Sequence, residues 1–452
     1  MYHFFLSAIA FLITISVVIG IHEFGHFWAA RIFKIKVLRF SVGFGKKLFG
    51  FVDKKGTEYR ISAIPFGGYV SLLDENEGKV AKEELHLAFN RQSVYKRLVV
   101  ILAGPLLNLI FALMLFWLMF IIGFTTVKPI IGNVTSNSIA NLGGLKPRQE
   151  ILAIDGHKTT DWTMVSIRIF FRMGAEGILN VQAKSPTEKT AKNYQLNLLN
   201  WQIDKLQPNP IKSLGIIPYL PHIPAVIGKL PGKLRVSGKL QLHDEVLAVG
   251  NQPVKNWPEL VKQIQLHPDQ VVQFKIRRNK KIVYTKIKIG HRWASLTRKK
   301  GFLGVAAQFE WPKKFTNQNK YTLWSSLQSA FSRTFTFISL NLVLVGKMMV
   351  GNFSIRGLAG PLTIFTTAGH AFRLGLAAFL AFLGFINVTI GVFNLLPIPG
   401  LDGAYICYFL IEALIGRPVS MKIQVLAFRL GLLVILLIVL QAIINDVLRL
   451  VG

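Results

Sequence analysis

This sequence is poor in acidic side chains and nearly without cysteine. Of 452 residues, 22 are Asp or Glu against 53 Lys or Arg, and the single cysteine is Cys407. A lone cysteine excludes an internal disulfide framework and any zinc knuckle built on thiolates. The formal charge of +31 would suit a nucleic-acid binder, yet no RNA- or DNA-binding motif accompanies it. An anionic membrane surface attracts the same Lys and Arg side chains. With 51% hydrophobic residues, the chain reads as membrane spans carrying soluble modules, in contact with lipid and with no nucleic acid. Acids are so scarce that each one inside an apolar stretch is informative.

Four stretches are long and apolar enough to cross a bilayer, about 4–29, 98–124, 376–399 and 424–445. The first has no basic n-region and stays apolar past His22 to Ala30, so it reads as a retained span, not a signal peptide. A fifth stretch, about 323–350, mixes apolar residues with Ser, Gln, Arg333 and Asn341 and reads as an interfacial amphipathic helix. The loop 31–97 holds 14 Lys and Arg against 7 Asp and Glu, which puts it on the cytoplasmic side. The first span then runs inward, the second returns, and 125–322 lies outside, in a periplasm where the cell has one.

Within 125–322 one pattern occurs twice: strand, small-residue turn, short helix, the strand "EILAIDG" or "EVLAVGN", helix, strand. This resembles a tandem pair of PDZ domains, modules that take an extended peptide as an added strand at a sheet edge. The Gly-Asp pair usual before that strand reads as Gln149-Glu150 in one copy and His243-Asp244 in the other. Capture of peptide tails stays open on that account.

The opening span contains "GIHEFGHF". His22-Glu23-x-x-His26 sets two imidazoles at i and i+4 on one helical face, the spacing zinc needs, with Glu23 beside them as a base. Catalytic zinc usually takes three protein ligands. The intramembrane or near-membrane acids are Asp402, Glu412 and Asp446. Asp446 lies three residues from Arg449 and reads as half of a local ion pair; Glu412, near Arg417 and a turn, reads as snorkelling. Asp402 follows "NLLPIPGLDG", where Pro397, Pro399 and Gly400 break the helix. Irregular backbone at membrane depth is tolerated only where protein or a watery cavity surrounds it. Asp402 is therefore the expected third ligand. To reach the histidines its span must run in the same direction as the first, which favours four spans and puts both termini outside the cytoplasm.

"HEFGH" in the first span, "AGPLLN" opening the second, the paired PDZ-like modules and "NLLPIPGLDG" in the third together resemble the site-2 protease family of bacterial intramembrane metalloproteases. The resemblance covers essentially the whole chain, including "RFSVGFGKKLFG" and "YRISAIPFGGYVSLLDE" in the cytoplasmic loop. It implies a polytopic α-helical inner-membrane protein with four transmembrane helices, an inserted tandem of PDZ-like α+β domains and a membrane-associated β-hairpin. The expected order is a first span (1–30), a cytoplasmic loop with the hairpin (31–97), a second span (98–124) and periplasmic PDZ-like domains (125–220 and 221–312). An interfacial helical region (313–372), a third span (373–403), a cytoplasmic loop (404–423) and a fourth span with the C-terminus (424–452) follow.

For chemistry the resemblance implies Zn²⁺ on His22, His26 and Asp402, with Glu23 as general base. It gives Asn394 a part in holding substrate or the developing oxyanion, against the alternative of an interhelical hydrogen bond. Pro65, Phe66, Gly67, Gly68 and Tyr69 match the hairpin whose edge would bind an unwound substrate strand, and Gly43 and Gly45 match a re-entrant turn; ordinary turn glycines are the other reading. Gly104, Pro105 and Asn108 are assigned to helix packing. Ala404-Tyr405 stands where the family commonly has Gly-His. The implied activity is regulated intramembrane proteolysis of single-pass proteins such as a pre-cleaved anti-sigma factor, and of remnant signal peptides. A non-catalytic PDZ scaffold and a zinc carrier or sensor are the rival classes, neither of which needs Glu23 as a base.

Overall fold

The computed structural model describes residues 2–451 except 77, 204–208, 231–239, 294–298, 352 and 354–358, and leaves aside the side chains of Tyr2, His3, Phe66 and 449–451. The expected Asp446–Arg449 pair therefore lies outside the described residues, as does the first part of the second repeat's turn. The chain divides into two compact units, one holding 2–125 and 318–445, the other 126–203, 209–317 and 446–451.

The first unit is a helix bundle with a β-hairpin. Its elements are α1 (Tyr2–Ile32), β1 (Val37–Val52), β2 (Glu58–Leu72), α2 (Val94–Ile122), α3 (Leu323–Met349), α4 (Pro361–Leu374), α5 (Leu376–Leu395), α6 (Asp402–Ile415) and α7 (Met421–Val451). A helix satisfies its own backbone, which is why apolar runs this long adopt it. Lys34 stops α1 in the left-handed region at φ 58°, and the Ile35 amide donates to the Ala30 carbonyl at 2.9 Å, a Schellman closure. That stop leaves His26 less than two turns from the helix end.

Helices α1 and α2 approach closely and run antiparallel. A Cβ on Gly25 would sit 2.3 Å from the Ala103 carbonyl oxygen, while Ala10 at the far end of α1 clusters with Leu115 of α2. Helices α2 and α5 are antiparallel too: Gly391 meets the Pro105 carbonyl and Leu109, and Gly384 meets Phe116. Consequently α1 and α5 point the same way, and their C-terminal ends share one level.

Among the described residues, five helices are long and apolar enough to cross a membrane: Phe4–Ile32, Val94–Ile122, Leu323–Met349, Leu376–Leu395 and Met421–Leu448. By that criterion α3 joins the four stretches singled out from the sequence, with mean hydropathy 1.2 against 2.2 to 2.7 for the rest. Its contacts are unlike theirs. The Trp117 indole donates to the Leu323 carbonyl at 3.1 Å, yet the ring of adjacent Phe116 packs on Phe337 at 5.6 Å. Leu323 and Phe337 are roughly 20 Å apart along α3 at 1.5 Å per residue. One turn of α2 thus touches widely spaced points of α3, so α3 crosses α2 steeply.

The hairpin curls so that the start of β1 is flanked on both sides. Ser41 pairs with Arg60 and Tyr69, and Val42 with Ile61 and Gly68. Residues 68–72 form an outer edge with no further strand partner among the described residues. Leu48, Phe49, Phe51 and Ile61 expose large apolar side chains around the hairpin, as a lipid-facing element would.

The second unit repeats one module. In the first copy the strand order is His157–Lys158, Glu150–Ile154, Ile178–Lys184, Lys192–Asn197; in the second it is Gln252–Pro253, Glu245–Val249, Val271–Arg278, Lys281–Lys288. Each copy has a ten-residue helix, Trp162–Phe171 or Trp257–Leu266, capped by Asp161 or Asn256. Each has its own apolar core, around Ile151 and Leu179 in one and Val246 and Phe274 in the other.

The two copies also correct the sequence register. Arg148 (φ 73°) and His243 (φ 69°) take the left-handed backbone of the expected glycine. The following residue caps the same turn in each: Gln149 Oε1 accepts from the Lys146 amide at 2.9 Å, and Asp244 Oδ2 from the Gln241 amide at 2.7 Å. The Gly-Asp position is therefore Arg148-Gln149 in the first copy, one residue earlier than sequence alone suggests.

Candidate active site

His22 and His26 lie one turn apart on α1, their ring centroids 4.8 Å apart and their planes nearly perpendicular. Asp402 opens α6. It is delivered by the Pro397–Leu401 connection, whose prolines lack the amides a helix would need. Close backbone contact fixes that connection: a Cβ on Gly403 would sit 1.9 Å from the Leu396 carbonyl oxygen, and one on Gly431 of α7 1.9 Å from that of Pro399. Because α1 and α5 end at one level, Asp402 arrives beside the histidines.

Three atoms converge. Asp402 Oδ2 is 3.1 Å from His22 Nε2 and 3.4 Å from His26 Nε2, and the two Nε2 atoms are 3.2 Å apart. A tetrahedral zinc shell with bonds of about 2.0–2.1 Å has edges of about 3.3 Å. The triangle has the dimensions of one face of such a shell. Asp402 Oδ2 is buried with no hydrogen-bond partner, so the cluster is poorly satisfied as a hydrogen-bonded group. As a cation site it uses all three lone pairs, and two imidazoles with a carboxylate suit zinc. Among the described residues, His22, His26 and Asp402 form the one His/Cys/Asp/Glu group compact enough to hold a metal ion.

Helix α2 backs this triangle. The His26 Nδ1–H donates to the Val100 carbonyl at 2.9 Å. A Cβ on Gly104 would lie 2.3 Å from His26 Nε2, so only glycine leaves room for the ring. Asn108, fully buried, faces His22 Nδ1 with its amide 3.4 Å away. Positions 100, 104 and 108 recur every four residues and share a helix face. Gly104 and Asn108 are thus more than packing residues. The signal was present in "AGPLLN", an asparagine within a span; the Val100 carbonyl leaves no trace in sequence.

Glu23 follows His22 on α1 and faces the hairpin. The position of a Gly68 Cβ lies 3.1 Å from Glu23 Cγ and 2.8 Å from the Ser41 carbonyl oxygen, and the Val70 backbone amide faces the carboxylate. The edge strand 68–72 therefore passes beside Glu23, with Tyr69 between these two contacts. Pro65, Phe66 and Gly67 precede it on β2. Gly67 (φ 135°) gives its side-chain space to the Phe44 ring, which stacks on Tyr69 at 6.2 Å. Gly43 (φ 94°) and Gly45 (φ 84°) bend β1; a Cβ at Gly43 would meet the carbonyls of Ser62 and Ile64 at 2.8 and 2.9 Å. Both glycines shape the hairpin itself. Asn394 sits half-buried in the last turn of α5 and leads into the Pro397–Leu401 connection.

Glu412 corrects its sequence reading. Its carboxylate accepts from Arg97 at the start of α2, at 2.5 Å, and Arg97 also stacks over Phe409 at 4.8 Å. Of the two residues replacing Gly-His, Ala404 is buried and Tyr405 exposed.

Comparison with known proteins finds similar sequences along nearly the full length of the chain. The chain is 36% identical over 443 residues to the regulator of sigma E protease of Haemophilus influenzae, covering 98% of each protein. It is 34% identical over 450 residues to protease RseP of Yersinia pestis, covering 98% of this chain and 99% of the relative. To the regulator of sigma-E protease RseP of Escherichia coli it is 34% identical over 443 residues, 98% of each. The model of peptidase family M50 matches residues 10–438, a range that includes His22, His26 and Asp402, and the chain belongs to that family.

Proposed function

We propose that the chain is an intramembrane zinc metalloprotease of bacterial inner membranes that hydrolyses peptide bonds within single-pass transmembrane segments. The observation that carries the reading is the convergence of His22, His26 and Asp402 at 3.1–3.4 Å with Glu23 adjacent. In this reading the three side chains hold Zn²⁺. The bound ion supplies Lewis acidity, polarising a scissile carbonyl and acidifying water.

The chain's own residues do the rest. Glu23 accepts the proton of the attacking water on its carboxylate and returns it to the leaving amine. A transmembrane helix hides its carbonyls in hydrogen bonds, so cleavage requires local unwinding. The free edge at 68–72 offers replacement backbone bonds to the unwound strand, beside the base. Gly67 and Gly68 allow close backbone approach, with Pro65, Phe66 and Tyr69 lining the same strand. Gly43 and Gly45 hold the hairpin's curl, and the Asn394 amide donates to the substrate carbonyl as charge develops there.

We read α1, α2, α5 and α7 as the four spans and α3 as a peripheral helix. Its steep crossing of α2 and lower hydropathy support this. The hairpin is then cytoplasmic, and both termini and both PDZ-like modules are periplasmic. The modules exclude substrates with bulky outer domains or take peptide tails. The names of the relatives support an anti-sigma factor, trimmed beforehand, as substrate, with remnant signal peptides as a second class.

The test is an Asp402→Ala variant purified beside wild type. Wild type should hold one zinc per chain and cut a single-pass substrate within its transmembrane segment. The variant should lose both. A variant that keeps full zinc and full cleavage contradicts the reading.

A further inference from the structure

We propose that Asn108 is a positioning residue that sets the tautomer of His22: its side-chain oxygen accepts from His22 Nδ1–H, so that Nε2 keeps the lone pair a metal needs. This rests on the zinc reading above. An imidazole ligates through its unprotonated nitrogen, so the other nitrogen carries hydrogen and requires an acceptor. For His26 the acceptor is the Val100 carbonyl at 2.9 Å. Nδ1 of His22 faces Asn108, fully buried, with Nδ2 at 3.4 Å and Oδ1 buried without any hydrogen-bond partner.

That arrangement matches a ring protonated on Nε2. The proton then lies on the side of His26 Nε2, 3.2 Å away, in the space the ion takes. Half a turn of the amide about its last torsion exchanges two groups of nearly equal size. The orphaned oxygen gains a donor, Nδ1–H gains an acceptor, and Nε2 is released for the metal. One face of α2 then carries the outward partners of both histidines, Val100 for one and Asn108 for the other, with Gly104 between them making room for the His26 ring.

The two amide orientations predict opposite behaviour for an aspartate at this position. A carboxylate accepts from Nδ1–H and cannot donate to Nδ1. The experiment uses the full chain purified in detergent, with zinc affinity measured by competition against a chromophoric chelator for wild type, Asn108→Leu and Asn108→Asp. The melting temperature of each metal-free protein is recorded alongside. Asn108→Leu should weaken zinc about 10–100-fold with the metal-free melting temperature unchanged, and Asn108→Asp should bind at least as tightly as wild type. Wild-type affinity in the Leu variant overturns the proposal. So does an Asp variant as weak as Leu, and so does a fall in metal-free stability that parallels the loss of zinc. If the Leu variant does not fold, the Asp variant decides alone. Failure of the zinc reading looks different: wild type would hold no zinc, or His22→Ala would hold it as tightly.

Discussion

The Arg97 guanidinium and the Glu412 carboxylate meet at 2.5 Å with their side chains only 11% and 14% exposed, joining the start of α2 to the last turns of α6. Helix α6 carries Asp402 at its other end, and α2 carries the partners of both histidines. The pair therefore ties the helix that starts at Asp402 to the helix that backs the two histidines. Removing one partner of a buried pair strands the other charge, at a cost of about 3 kcal/mol. Glu412→Gln should lower thermal stability in detergent by roughly that amount and weaken zinc retention. Arg97→Met combined with Glu412→Leu should recover most of the stability. A single-variant cost below about 1 kcal/mol, as for surface pairs, would show that the pair holds nothing.

Gly104 faces His26 across a space with no room for a methyl group, a Cβ there falling 2.3 Å from Nε2. Alanine favours the helix by about 1 kcal/mol over glycine, so Gly104→Ala should fold. The imidazole must move, and a displacement near 1 Å costs about 100-fold in rate. Cleavage should fall by at least that factor with helical content preserved. Cleavage within a few-fold of wild type would show that the ring has another place to go.

Glu58 gives the hairpin a pH dependence. Lys47 and Arg39 hold its carboxyl down to about 2 from the usual 4.5. A depressed folded value means the ion pairs contribute fully above about pH 4.5, and their contribution is lost as pH falls from there through about 2. Protease protection of residues 37–72 in detergent should decline over that window in wild type. In Glu58→Gln it should be lower at neutral pH and decline less across the window, where Asp53, also held low by the Thr57 amide and Arg31, still titrates. A wild-type profile that declines no more than the variant's would contradict the assignment.

Much of the site was legible because acids are rare. The i, i+4 spacing of His22 and His26 is local, and elimination among three acids reached Asp402. What the sequence hid is tertiary. Val100 acts through a carbonyl every residue possesses, and Asn108 and Gly104 acquire their roles only once α1 packs on α2. Glu412 reads from sequence as snorkelling because Arg417 and a turn are its near neighbours, whereas the bundle brings Arg97 to it. In the repeats, Arg148 and His243 adopt a left-handed backbone without being glycine, so the turn register was invisible where the usual residue was missing. The sequence leaves the hairpin's glycines between a substrate-binding edge or re-entrant turn and ordinary turn glycines; the fold brings Gly68 to Glu23, and Gly43 and Gly45 to Ser62 and Ile64.

Glu23→Gln separates zinc binding from catalysis, with zinc content and cleavage of a single-pass substrate measured on the same purified preparation. The glutamine keeps the shape of the side chain and cannot take a proton. A general-base role for Glu23 predicts zinc at the wild-type level of one per chain and cleavage reduced at least about 100-fold, the usual scale of such catalysis. Cleavage at the wild-type rate with zinc in place would contradict it.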